Sequence, residues 1–425
     1  MRRSFFSDAA WGHRSSPISK HRAQRQKKRR AQRFSLEPLE SRCLLSTITE
    51  FGNAALGNSQ PAEIVSADGM LWLTEQSGNA IGMVNPSSPN NVQSFSNSMP
   101  SGAGPTAITA GPEGSHSVWF TEPTVAFHGE IGMLSTSNPS QAIQSFSPQG
   151  LTVAARPYGI TLGPDGNGNQ VIWYTDPNNN AIGMINPSNT SSIPAEIAIP
   201  SNMVGFGTFN SQITAGPGGN LYFTEVQYNS SDAIGSSGIG IYNPTSKSWN
   251  EVLLPSGSGQ EPLGIAVGPD NNIWFTEAVP NSSGPGYVSS AVGVVVNPAS
   301  TSPTITEIPI TPASGGATIL PYRITAGPDG NLWFTEYSTG GIGMVTVTAN
   351  PASDPITSIP IPTTVISDPQ PKGIVTGPDG SVWFADASGA VGQVTLDTNT
   401  PPAPPTPPVP PTPPTPPAPQ APRPA

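Results

Sequence analysis

At 425 residues the chain is long enough for two or three ordinary domains or one large repetitive one. Gly (45) and Pro (52) make up almost a quarter of it and charged residues only 10%, which excludes a coiled coil or helical bundle, because these two are the poorest helix formers. No apolar run approaches the ~18 residues of a spanning helix, and the single cysteine, Cys43, leaves neither a disulfide framework nor a cysteine metal cluster.

The net charge of −10 conceals a segregation: residues 1–46 hold 12 Lys/Arg against 3 Asp/Glu, and residues 47–400 hold 4 against 24. The acidic body repels phosphate backbones, so nucleic acid is not expected as its partner. The leader, residues 1–46, contains the basic stretch Lys20–Arg33, which cannot bury a core. It reads as a removable targeting segment, with nucleic acid or an acidic membrane surface as alternative partners. Leu36-Glu37-Pro38-Leu39-Glu40-Ser41-Arg42-Cys43-Leu44-Leu45-Ser46 resembles the LEPR-XLL segment found at the start of large exported bacterial proteins. That resemblance implies export to the cell envelope or beyond. The apolar stretch around Leu44, Leu45 and Ile48 is too short for an ordinary signal peptide.

From residue 47 one unit repeats. Its clearest copy reads Pro321-Tyr-Arg-Ile-Thr-Ala-Gly-Pro-Asp-Gly-Asn-Leu-Trp-Phe-Thr-Glu336, then Gly341-Ile-Gly-Met-Val345. Aligning the tryptophan brings Trp72, Trp119, Trp173, Tyr222, Trp274, Trp333 and Trp383 into register at spacings of 47 to 59 residues, a period typical of repeat architectures. Each copy predicts four strands. A short run such as Gly159-Ile-Thr-Leu reverses at Gly-Pro-Asp-Gly, where proline presets φ and glycine supplies a positive one. An aromatic run such as Leu332-Trp-Phe-Thr follows. A third strand opens at Ile81, Ile131, Ile182, Ile239, Val292, Ile342 and Val391 and ends at turns such as Asn85-Pro86, and a fourth alternates, as in Thr306-Glu-Ile-Pro-Ile.

Seven such units predict an all-β fold over 47–398, a seven-bladed β-propeller of four-stranded antiparallel blades. A solenoid, the alternative, needs distinct caps. Instead the seventh copy stops after its third strand at Val394, while Thr47-Ile-Thr-Glu-Phe51 matches the fourth-strand pattern ahead of the first. An N-terminal strand is therefore expected to close the ring, and the propeller is expected to be a monomer. Residues 399–425 form a proline-rich tail, with 15 prolines in its last 25 positions, suited to a polyproline II spacer or to a proline-binding partner.

In a propeller the first strand of each blade starts near the axis at the top face and the second returns there. The x of Pro-x-Gly-Ile-Thr and the acid ending Trp-Phe-Thr-Glu are thus expected around one mouth. Those acids are Glu75, Glu122, Asp176, Glu225, Glu277, Glu336 and Asp386. Their sevenfold recurrence points to blade-to-blade hydrogen bonding, with a cation-binding ring as the alternative. Non-repeated residues discriminate better. Arg156, Arg323 and Lys372 gather here beside Tyr158 and Tyr322, a candidate ligand mouth for a small molecule, glycan or envelope protein; charge balancing of the acids is the other reading. The long second-to-third-strand loops Val226–Gly238 and Ala278–Ala291 are further recognition candidates. His116 and His128 have no ligand partner at zinc-site spacing, and no nucleophile elbow, P-loop or dinucleotide fingerprint occurs.

The blade pattern Ile-Thr-x-Gly-Pro-Asp-Gly-Asn-Leu-Trp-Phe-Thr-Glu followed by Ile-Gly resembles the virginiamycin B (streptogramin) lyase family over residues 47–398. The resemblance implies a propeller that opens a cyclic depsipeptide antibiotic by eliminative C–O cleavage with Mg²⁺. It also implies a histidine base at x, one carboxylate two residues before it and another ending the next strand. Here the x positions are Ala62, Thr106, Tyr158, Ser211, Leu263, Tyr322 and Lys372, none of them histidine. Met83, Met133, Met184 and Met344 follow Ile-Gly where the family commonly carries a basic residue. The expected function is therefore a non-catalytic binding module, the alternative a Mg²⁺-dependent C–O lyase with an altered base, for which Lys372 is the candidate. Only blade five keeps the carboxylate spacing: Glu261 stands two residues before Leu263, and Glu277 ends the following strand, which reads as a weak Mg²⁺ site or as an exposed loop glutamate.

Overall fold

The computed structural model describes residues 46–396, apart from short stretches at 53–55, 125–128, 150–152, 192, 194, 207–210, 230–232, 256–258, 283–285 and 313–315. They belong to the second of two compact units, Ser46–Ala425; the basic leader, the export segment and the proline-rich tail lie outside the described residues.

The first strand, β1 (Thr47–Gly52), pairs antiparallel with the last, β28 (Ala390–Thr395), Ile48 opposite Val394 and Glu50 opposite Gly392. Six blades follow in chain order: β2–β5 (61–95), β6–β9 (108–146), β10–β13 (160–198), β14–β17 (213–253), β18–β21 (261–309) and β22–β25 (321–360). The seventh is β26–β28 (371–395) with β1 as its outer strand. This is the closed seven-bladed propeller that the repeats predict.

The repeat sequence explains each contact. The aligned aromatic of one blade is buried against the next blade's first two strands: Trp72 meets Ile108 and Phe120, Trp119 meets Ile160 and Tyr174, and Trp383 returns to Ile64 and Leu73 of blade one. The following Phe lies over the third-strand glycine of its own blade; a Cβ on Gly343 would fall 2.0 Å from the Phe334 ring, so only glycine fits. In blades six and seven the aspartate of Gly-Pro-Asp-Gly accepts the buried indole N–H, Trp333 Nε1 to Asp329 Oδ1 at 3.1 Å and Trp383 Nε1 to Asp379 Oδ1 at 2.9 Å, whereas in blade three the Pro164 carbonyl takes the Trp173 N–H at 3.0 Å.

Threonine links the blades. Thr121 Oγ1 accepts the Ala107 N–H at 3.0 Å within its own blade and donates to the Tyr158 carbonyl of the next at 2.9 Å. Thr335 does the same between the Arg323 N–H at 3.0 Å and the Lys372 carbonyl at 2.7 Å. Thr74, Thr175 and Thr276 also donate to their neighbours' first strands. The role expected of the seven acids thus belongs to the residue before each. Blade seven has Ala385 in this place, so the seam from blade seven to blade one depends on Trp383 and on β1.

Thr335→Val keeps the shape of the side chain but leaves a buried N–H and a buried carbonyl unpaired, a loss of about 1–3 kcal/mol expected in urea unfolding. Deleting 47–52 opens the seventh blade and is expected to lower the melting temperature by many degrees; an unchanged melting curve contradicts closure by β1.

Candidate functional site

The strands nearest the axis begin at the top, and the residue after x points the chain into the crowded centre. These residues are Glu63, Ala107, Gly159, Gln212, Gly264, Arg323 and Gly373. Two are charged, with opposite signs, and they meet: Arg323 Nε donates to Glu63 Oε1. The pair joins blade six to blade one past blade seven, whose own residue is Gly373; a Cβ there would lie 2.6 Å from Glu63 Cα. The Arg323 and Glu63 side chains are 7% and 13% exposed, so this is a buried ion pair, in which loss of one partner is far more harmful than loss of both. Burial raises Glu63 above the ordinary carboxylate range, against the pull of Arg323 and Lys372. Burial also opposes the Arg323 charge, but Glu63 and the phenols of Tyr322 and Tyr158 outweigh it, and the guanidinium stays charged.

Tyrosines surround the pair. The Arg323 guanidinium lies 4.1 Å from the Tyr322 ring centroid, a cation–π contact. Tyr322 packs against Tyr337 at 5.9 Å, and Lys372 Nζ lies 5.9 Å from the Tyr337 centroid. Tyr158 reaches Tyr322 from blade three; burial and then that neighbouring phenol keep it protonated. Blades four and five contribute through long hairpins, β15 (Asn220–Tyr228) with β16 (Ile234–Asn243) and β19 (Ile273–Pro280) with β20 (Tyr287–Val296). Much of what the sequence suggests as loops, Val226–Gly238 and Ala278–Ala291, is paired strand. These extensions bring Tyr228, whose hydroxyl donates to Glu261 Oε1 at 3.4 Å, and Tyr287, which packs with Leu263, Leu320 and Tyr337. Five of the chain's 8 tyrosines thus converge on one mouth, over a floor where Arg323 Nη1 is buried without an acceptor among the described residues.

Of the residues singled out from sequence, Tyr158, Tyr322 and Arg323 join one network and Lys372 flanks it. Arg156, half-buried two residues before Tyr158, donates its backbone N–H to Asp176 Oδ1 at 3.0 Å. Charge balancing does describe Arg323, but its counter-ion is Glu63 and not the seven acids. Those acids do not line the mouth: all seven are buried inside their own blades, at most 3% exposed. Sequence reasoning missed Glu63 and Tyr337, and reached Tyr228 and Tyr287 only as members of the candidate segments Val226–Gly238 and Ala278–Ala291. For Glu63 a signal existed, since it and Arg323 are the two charged residues in a column of small or neutral ones.

The two carboxylates expected to hold Mg²⁺ do not converge. Glu261 lies opposite Ala278 and Glu277 opposite Pro262, adjacent cross-strand positions whose side chains leave opposite faces of the sheet. Glu261 accordingly meets Tyr228, while Glu277 faces Glu307. Among the described residues no group of three His, Cys, Asp or Glu is placed to hold a metal ion. The donor set does not fit Mg²⁺, which takes near-octahedral oxygen coordination. His116 sits at the far end of blade two with Nδ1 3.2 Å from Asp68, and His128 lies outside the described residues.

A seven-bladed propeller closed by its N-terminal strand, with a tyrosine-lined mouth on the axis, is the class of protein these features define. The profile of the Virginiamycin B lyase family matches residues 47–394, and the chain belongs to that family. Virginiamycin B lyase from Staphylococcus aureus is 28% identical, with a TM-score of 0.63 over 83% of this chain and 100% of its own. A streptogramin B lyase structure is 26% identical, with a TM-score of 0.62 over 83% of this chain and 98% of its own. A catalytically inactive variant of the S. aureus enzyme with quinupristin is 29% identical, with a TM-score of 0.63 over the same 83% of this chain and 100% of its own. No curated protein matches.

Arg323→Met alone strands the buried Glu63 carboxylate and is expected to cost about 3–5 kcal/mol. Combining it with Glu63→Gln is expected to recover most of that loss, as read from urea unfolding of the three variants.

Proposed function

We propose that this family member is an exported propeller that binds a small molecule, glycan or envelope protein at its tyrosine mouth and carries out no C–O lyase chemistry. The observation that supports this most is what occupies the positions where the family resemblance implies a base. Tyr158 and Tyr322 stand at two of them, inside the buried Glu63–Arg323 network. Tyr158, held protonated by burial, and Tyr322 offer hydroxyls and ring faces to a ligand, and neither is a histidine base. The split between Glu261 and Glu277 points the same way. Lys372, the remaining base candidate, rests on the Tyr337 ring, a placement suited to holding a carbonyl or carboxylate of a ligand. Export rests on the resemblance carried by Leu36–Ser46.

Incubation with Mg²⁺ and quinupristin, followed by mass spectrometry, is expected to return the cyclic compound intact. Linear product in amounts that rise with enzyme overturns the non-catalytic reading, and its loss in Lys372→Ala assigns the base. For binding, calorimetric titration with soluble glycans and cyclic peptides is the direct assay. Tyr337→Ala and Lys372→Ala are each expected to weaken any ligand found by about tenfold, Lys372→Ala without lowering the melting temperature. Unchanged affinity in both places the site elsewhere.

A further inference from the structure

Each blade seats the acid ending its second strand against one residue of its fourth strand, across the third-strand glycine. In blades one and six that residue is a serine whose hydroxyl donates, Ser94 to Glu75 at 2.6 Å and Ser358 to Glu336 at 2.5 Å, and in blade two Ser145 lies against Glu122. In the other four blades a carboxyl faces a carboxyl: Glu196 and Asp176, Glu251 and Glu225, Glu307 and Glu277, Glu50 and Asp386. Blade seven is the special case. Its fourth strand is β1, brought from the other end of the propeller, so this pair alone spans the seam that closes the ring.

The surroundings assign the charge within that pair. Asp386 Oδ1 accepts the N–H groups of Ser388 at 2.8 Å and Gln370 at 3.1 Å, and Oδ2 accepts Gln370 again at 3.0 Å. These two N–H groups, that of Gln370 shared between both oxygens, favour the anion and work against burial, which raises Asp386 as well. Both Glu50 oxygens are buried with no donor to complete a bond, and the backbone of Ile366 compensates only in part. Tyr337 of blade six is the further titratable group within reach of Asp386. None of these neighbours is a cation. An acceptor buried against an acceptor is satisfied by one proton.

We propose that ring closure is latched by that proton: Glu50 is a carboxylic acid donating to the Asp386 carboxylate, and β1 loosens when the proton leaves. Burial, then the charge of Asp386, push Glu50 up to about 7 from the ordinary 4.5. A group whose folded value is raised binds its proton in the native state where the open chain has already lost it. The latch therefore contributes fully below about pH 4.5 and is lost as pH rises through about 7. Glu225 and Glu277, both pushed up to about 8, follow the same sign, but their blades are continuous in sequence, so no seam opens there.

Hydrogen exchange read by mass spectrometry, corrected for intrinsic rates, tests the latch in the full chain. Between pH 5.5 and 8.0 the opening of β1 is expected to rise by about ten- to thirtyfold relative to the strands of blade six, where Ser358 already donates to the buried acid. Glu50→Ser, which installs the residue that blades one, two and six use, is expected to abolish the extra pH dependence and keep β1 protected; Glu50→Gln serves as a second neutral variant. Equal β1 protection at both pH values overturns the proposal, as does a pH dependence that survives in both variants.

Discussion

Everything in this propeller depends on one contact made seven times: a flat aromatic side chain from the second strand of each blade, inserted against the first two strands of the next. Six tryptophans and Tyr222 fill that role, all at most 1% exposed. Truncating such a side chain in a packed core costs about 3–5 kcal/mol, so the ring is held by its interfaces as much as by its blades. Closure follows. A blade that did not receive the preceding aromatic would leave Ile64, Leu71 and Leu73 exposed on one edge and Trp383 on the other. Supplying the last blade's fourth strand from the N-terminal end removes both edges at once.

In an object with sevenfold repetition, function has to be written where the repetition fails. The Arg323–Glu63 pair is such a failure: two blades separated by a third are tied together because Gly373 leaves room between them. The tyrosines are another. Tyr158 and Tyr322 share a position where the other five copies carry Ala, Thr, Ser, Leu or Lys, and Tyr228 and Tyr287 ride on hairpins that, among the described residues, blades four and five extend furthest. A buried ion pair is a poor source of net stability. Its presence at the axis, under a mouth of aromatic rings, is better accounted for by the geometry it imposes on Tyr322 and Tyr158 than by the energy it adds.

The architecture was legible in the sequence because repetition multiplies a weak signal. One Trp-Phe-Thr-Glu is ambiguous, whereas seven at a period near fifty, with a stray fourth strand at the front, leave few alternatives. The site was legible only in part. Tyr158 and Tyr322 could be grouped because they share a repeat position, with Arg323 next in sequence, but Glu63 lies 260 residues from its partner and becomes visible only when blades six and one are known to meet past a glycine. The acids were misplaced for a different reason. Sequence gives the end of the blade at which a residue sits, but which face its side chain leaves depends on register, and a shift of one position reverses the answer. That parity separates Glu261 from Glu277. It also hides all seven second-strand acids inside the blades.

The second strand explains why a mouth can change its chemistry while the fold persists. Within Trp-Phe-Thr-Glu each residue already has structural work: the first packs into the next blade, the second covers the third-strand glycine, the third links first strands, and the fourth meets the outer strand. Little there can vary without loss of packing or of a buried hydrogen bond. The first strand is different. Its x residue uses only its backbone carbonyl for the threonine link, so its side chain is released from the scaffold, whereas the next residue is crowded in three blades, where a Cβ on Gly159, Gly264 or Gly373 would meet the neighbouring blade's backbone. The x position of each blade is thus free to differ at the axis. That is where this chain places two tyrosines and a lysine, with the Glu63–Arg323 pair one residue further on, and none of their side chains takes part in the aromatic and threonine contacts that hold the ring.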